Sequence, residues 1–143
     1  RIESRQAFMA MKFNDADLDA VYERCFIPSA SEAGFTLRRL SDQQGAGLID
    51  DQLRVAIRSS RFLIADLSHA NNGAYWEGGF AEGLGRPVIY TCSESAWKAE
   101  RTHFDTNHLV TVVWSPDALE DAARRLTATI RATLPDEAKM ESR

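Results

Sequence analysis

Five short, largely apolar runs, most of them separated by stretches with helical periodicity, constrain this chain more than any other feature. Phe8-Met9-Ala10-Met11 is too short for a helix and suits a strand buried on both faces. Thr36 to Leu40, Phe62 to Ala65 ending at Asp66, Val88 to Thr91, and Val110 to Trp114 supply four more. After the first run, Asn14 or Asp15 can cap a helix with the apolar stripe Leu18, Val21, Tyr22 and Cys25. Pro28 is expected to bend or end it, and Gly34 to close the segment. Ser41 to Gly47 reads as a loop, and Ile49, Leu53, Ala56 and Ile57 mark the next helix. Asn71-Asn72-Gly73 makes a turn before a glycine-rich helix from about Ala74 to Leu84. No helix pattern separates Thr91 from Leu109. Ser115-Pro116 offers an N-cap and an N1 proline to a last helix with Leu119, Ala122, Leu126, Ile130 and Leu134 on one face. The polar residues Asp136 to Arg143 read as a frayed tail.

Strands alternating with helices imply a parallel sheet with right-handed crossovers. The fold class expected is α/β: a flavodoxin-like three-layer sandwich, five strands in the order 2-1-3-4-5. A chain of 143 residues makes one such domain, here residues 1–135. It opens on Arg1 rather than Met, as a domain excised from a longer protein would. The excess of 21 acidic over 17 basic residues argues against a nucleic-acid polymer or an anionic membrane as partner. No apolar run approaches the ~20 residues of a membrane span. Cys25 and Cys92 lack any metal-ligand spacing and read as free thiols in a reducing, cytoplasmic compartment.

In such sheets ligands bind beyond the carboxyl ends of the strands, near the switch in strand order. The loops after Met11, Leu40, Asp66 and Thr91 are therefore the ones to watch. Eleven residues after Asp66 comes Glu77, which shares a helix face with Phe80, Ala81 and Leu84. A carboxylate there is either a partly buried side chain favoured by the helix N-terminus or a reactive group. Glu82, roughly 140° away on the wheel, reads as solvated. Gly73, Gly78, Gly79, Gly83 and Gly85 crowd this one segment. Each interior helix glycine costs about 0.5–1 kcal/mol against alanine, so close approach to the sheet, a ligand or another subunit must offset it.

The segment R-F-L-I-A-D-L-S-x-x-N-N-G-A-Y-W-E-G-G-F-A-E-G-L-G-R-P-V-I, from Arg61 to Ile89, resembles the central signature of the nucleoside 2-deoxyribosyltransferase-like superfamily. That group includes deoxyribosyltransferases and nucleoside 5′-monophosphate N-glycosidases, and is related in fold to TIR domains. The resemblance implies that Glu77 is a nucleophile that attacks the anomeric carbon, expels the base and forms a glycosyl-enzyme ester. It also implies Asn71, Gly73 and Tyr75 as substrate contacts, a nucleoside or nucleotide substrate, no metal or organic cofactor, and a homodimer whose subunits complete each other's pockets. Two positions depart from the pattern. Asn71 stands where some transferases carry an acid, which favours hydrolysis over base exchange. The second carboxylate of the family comes from the preceding helix, where direct register gives Leu53; Asp50 or Asp51 takes that role, or it is absent. Asp66 is a further candidate acid.

Other residues leave alternatives open. Met11, Lys12 and Phe13 lead into a helix N-terminus that can hold a phosphate or ribose, although a lysine in such a loop is usually solvated. His103 and Asp105 either contact base or sugar or only pin their loop. Arg38-Arg39 either grips a phosphate or makes surface pairs. Trp97 either stacks a base or covers the core, and His69 reads as solvated. Trp76 lies off the core face, a large apolar group in need of cover. Two rivals accompany N-glycosidic cleavage of a nucleoside or nucleotide: a TIR-like NAD hydrolase, and a non-catalytic nucleotide-sensing domain.

Overall fold

The run Phe62-Leu63-Ile64-Ala65-Asp66 forms the central strand, β3 (Phe62–Asp66), with every residue buried. Alternation of side chains divides it between two cores. Phe62 and Ile64 face one layer of helices, Leu63 and Ala65 the other. The computed structural model describes residues 4–39, 46–70, 72–99 and 111–141.

Around β3 lie β1 (Gln6–Ala10), β2 (Thr36–Arg38), β4 (Val88–Ser93) and β5 (Thr111–Trp114), all parallel, in the order β2-β1-β3-β4-β5. This is the expected flavodoxin-like sheet. The Phe62/Ile64 face carries α1 (Ala16–Val21), α2 (Ile27–Glu32) and α6 (Leu119–Thr133). The Leu63/Ala65 face carries α3 (Ala46–Ser59) and α4 (Asn72–Gly83). Cys25 belongs to the first core and Cys92 to the second, which keeps both thiols free and apart. Among the described residues no helix is long and apolar enough to cross a membrane.

Three local expectations are corrected. Pro28 does not end the first helical segment; a π-helical turn, Tyr22–Phe26, carries the chain directly into α2, with Pro28 in its first turn. The π-helical turn lies directly before the proline, which has no N–H to give to the preceding turn. A short helix, α5 (Glu94–Ala99), follows β4 where no helix pattern was visible. Ser93 Oγ accepts from the Ala96 backbone N–H at 3.1 Å, and Glu94 pairs with Lys98 at 3.1 Å, so a cap and an i,i+4 pair sustain one short helix without an apolar stripe. Residues 136–139 are docked rather than frayed, and the last two residues of the expected tail lie outside the described residues. Ala138 enters the first core, the Lys139 N–H donates to Ala33 O at 2.8 Å, and Glu137 pairs with Arg61 at 2.9 Å. A single small apolar residue among charges gave no periodic signal to read.

Candidate active site

The switch in strand order falls between β1 and β3, and both loops leaving it carry a non-glycine residue in the left-handed region: Asn14 (φ 58°) and His69 (φ 63°). Strained backbone of this kind, on the order of 1–3 kcal/mol each, clusters at functional sites. The two loops are tied together. Asp15 Oδ1 caps α1 by accepting from the Leu18 N–H at 3.0 Å, and its Oδ2 lies 3.2 Å from His69 Nε2. His69, read as merely solvated, thus bridges the crevice. In the loop after β1, Met11 is buried while Lys12 and Phe13 are exposed.

The helix α4 forms the next wall. Ala74, Gly78 and Ala81 face the sheet. On the helical wheel Glu77 stands roughly 65° to one side of them, with Phe80 and Leu84, while Glu82 and Tyr75 stand on the other side. The Arg58 guanidinium lies 5.9 Å from the Phe80 ring, so the Glu77 side of α4 faces α3. Lost hydration pushes the Glu77 carboxyl up to about 7. α4 begins at Asn72, so Glu77 falls in its second turn, beyond the first turn where the helix N-terminus acts most strongly on a carboxylate.

Asp66 does not share this cleft. It continues the Phe62/Ile64 side of β3, is fully buried, and holds three donors: Thr91 Oγ1 at 2.6 Å and Trp114 Nε1 at 2.9 Å on Oδ2, and the Ser68 N–H at 3.0 Å on Oδ1. Burial raises its pKa, and the bonds from Thr91, Trp114 and Ser68 oppose the rise. These contacts tie β3, β4 and β5 together at their carboxyl ends. An acid that must reach a ligand cannot be held this way.

The remaining candidates separate. Asp51 points outward, its side chain 86% exposed and 3.9 Å from Arg54. Asp50 lies in α3, one turn before the buried Leu53. Gly73 and Tyr75 occupy the first turn of α4. Asn71, His103 and Asp105 lie outside the described residues, as does the side chain of Asp50. Arg39 is engaged by Asp19 at 2.7 Å and by the Tyr22 ring, leaving Arg38 as the exposed member of that pair. Trp97 packs against the second core and so covers it. Glu82 is exposed, as its place on the wheel predicts, and after burial its charge is the next influence that pushes the Tyr90 phenol up to about 12. Among the described residues no three His, Cys, Asp or Glu side chains could hold a metal ion. A groove of about 480 Å³ between α2 and α6 lies on the face of the sheet opposite Glu77.

The fold is similar to that of a 2-desoxiribosyltransferase from Leishmania mexicana, with a TM-score of 0.59 and 17% identity over 86% of this chain and 97% of that one. A response regulator receiver protein from Sinorhizobium medicae WSM419 also matches, with a TM-score of 0.49 and 14% identity over 88% of this chain and 96% of that one. No family model and no curated protein matches the sequence. At 17% identity the transferase likeness establishes a shared fold.

Proposed function

We propose that this domain cleaves the N-glycosidic bond of a nucleoside or nucleotide, with Glu77 as nucleophile. The observation that carries the reading is the Glu77 carboxyl itself. It is partly buried, raised to about 7, and set on a helix beside the switch-point crevice of a deoxyribosyltransferase-like fold. A group titrating there is ionised for part of the population at neutral pH, and it sheds little water on attack.

In this reaction a Glu77 oxygen attacks the anomeric carbon as the carbon–nitrogen bond breaks. The base leaves with the bonding pair and takes a proton, and the sugar remains as an ester on Glu77. Water then attacks the same carbon, loses a proton, and restores the carboxylate. With Asp66 buried and Asp51 turned outward, Asp50 on α3 is the carboxyl group we assign to protonating the base. Lys12, Phe13, Asn71, Gly73 and Tyr75 would border the substrate, with His103 and Asp105 from the β4–β5 connection. Hydrolysis is favoured over base exchange by Asn71.

A specific observation favours a second reading. The loss of Asp66 as an acid removes one source of a proton for the leaving base. A base that is already cationic, such as the nicotinamide of NAD, needs none. The test is product analysis by chromatography after incubation with nucleosides, nucleoside monophosphates and NAD. Free base from the first two, lost in Glu77→Gln, is expected. Release of nicotinamide alone selects the NAD hydrolase. Binding with no free base from any substrate removes catalysis and leaves a nucleotide-sensing domain.

A further inference from the structure

α4 holds four glycines, and of Gly78, Gly79 and Gly83 only Gly78 is required by its surroundings. A methyl group on Gly79 or Gly83 would meet nothing within 4 Å. On Gly78 it would fall 2.7 Å from the Tyr90 hydroxyl oxygen, 3.0 Å from its Cε1 and 3.1 Å from its Cζ. The tyrosine cannot swing clear, because it is 3% exposed and sits in β4 opposite Ala65, the penultimate residue of β3. Glu82, one turn beyond Gly78 on the same side of the helix, stands near enough to the phenol to add to the rise in its pKa that burial causes. Tyr90 therefore holds α4 by its contact at Gly78.

Glu77 is the residue next to this hold. The geometry points to Tyr90 as a positioning residue for Glu77: seated against Gly78, it fixes the height and rotation at which α4 presents the Glu77 carboxyl over the carboxyl end of β3. Tyr90 touches no reacting atom in this scheme. The inference deepens the proposed glycosidic function and rests on Glu77 being the reactive group. Misplacement of a nucleophile by about 1 Å can cost on the order of a hundredfold in rate. The groups that bear on this arrangement are Glu82 and Tyr75 on α4, Tyr90 on β4, and Arg54 and Arg58 on α3, whose guanidiniums lie 5.9 Å from the Trp76 and Phe80 rings.

The experiment follows Glu77 directly, in the whole chain labelled with carbon-13 at glutamate carboxyls, its signal assigned by loss in Glu77→Gln. The midpoint of the Glu77 titration is read in the wild type, Tyr90→Phe, Gly78→Ala, the Gly78→Ala/Tyr90→Leu pair and Gly79→Ala. The midpoint is expected to move by on the order of one unit in Gly78→Ala and measurably in Tyr90→Phe. It should return toward the wild-type value in the pair, where the smaller side chain makes room for the methyl, and stay unchanged in Gly79→Ala. With a turned-over substrate, kcat should fall about a hundredfold in Gly78→Ala with little change in KM, and recover in part in the pair. Unchanged midpoints in both Gly78→Ala and Tyr90→Phe would overturn the inference, and so would a Gly79→Ala shift as large as theirs. The titration needs no substrate, so absence of N-glycosidic turnover in the wild type would overturn the functional proposal while leaving this measurement standing. Tyr90→Phe adds no atom, so it carries the test if Gly78→Ala fails to fold.

Discussion

Asp66 and Glu77, eleven residues apart, lie on opposite sides of the central sheet. Asp66 ends β3 on the side of Phe62 and Ile64, where the Trp114 indole donates to it, whereas Glu77 rides on α4 over Leu63 and Ala65. The odd–even alternation of a strand, rather than distance along the chain, separates a structural carboxyl from a candidate reactive one.

Asp66→Ala is therefore expected to act on stability. It strips the partner from two donors that can do nothing but donate, the Trp114 indole N–H and the Ser68 backbone N–H, in a fully buried place. A loss of roughly 2–4 kcal/mol follows from leaving both unpaired. Asp51→Ala, at an exposed position with a long contact to Arg54, should change stability by less than about 0.5 kcal/mol. Urea denaturation of both variants measures the contrast, and equal midpoints would remove Asp66 from its structural role.

The pH dependence of turnover tests Glu77 and the second carboxyl together. A nucleophile must be ionised, so kcat/KM should rise with pH through a midpoint near the Glu77 value of about 7. Glu77→Gln should abolish the rise and lower kcat by roughly a thousandfold or more. A carboxyl general acid must stay protonated, so if Asp50 serves, the rate should fall again at higher pH, and Asp50→Asn should remove that fall alone. A rate that stays flat on the alkaline side eliminates a carboxyl acid and favours release of a cationic base.

The strands and the apolar stripes were legible because each rests on a local period, and the sheet order because five such strands alternating with helices favour one arrangement. Leu119, Ala122, Leu126, Ile130 and Leu134 all turn into one core, as spacing alone requires. Glu77 was legible for the same reason, by its register with Ala81 on α4. What spacing could not supply were contacts between elements distant in sequence. The seat of Tyr90 on Gly78, the Asp15–His69 bridge and the docking of Ala138 all join such segments. The side of the sheet taken by Asp66 needed only period-two counting from Phe62 and Ile64, yet its partner Trp114 comes from the far strand β5.

Trp76 leads to a prediction about assembly. It is 46% exposed, stacks on Phe80 at 5.5 Å between ring centres, and has the Arg54 guanidinium 5.9 Å away. Val55, also exposed, lies on the neighbouring α3. Aromatic and arginine side chains together are enriched where proteins meet. We expect a homodimer at micromolar concentration in sedimentation velocity, with Trp76→Glu shifting it to monomer and the far-ultraviolet circular dichroism unchanged. A wild-type monomer across that range would exclude self-association through this face.

Glu77 should also leave a signature in folding, independent of any substrate. Its ordinary value of 4.5 rises to about 7 in the folded chain, so folding favours the protonated form. The stability it contributes is fully present below about 4.5, is lost progressively as pH rises toward 7, and is flat above, the reverse of a salt-bridged carboxylate. Glu77→Gln imitates the neutral form at every pH. It should match the wild type near pH 4 and exceed it near pH 8 by on the order of 2 kcal/mol, after allowing for partial exposure of the side chain. In a thermal melt that is a difference of roughly 5–8 °C in Tm at the higher pH and none at the lower. A constant offset between the two proteins at both pH values would show that Glu77 keeps an ordinary titration in the folded chain. The desolvated carboxyl on which the catalytic reading depends would then be gone.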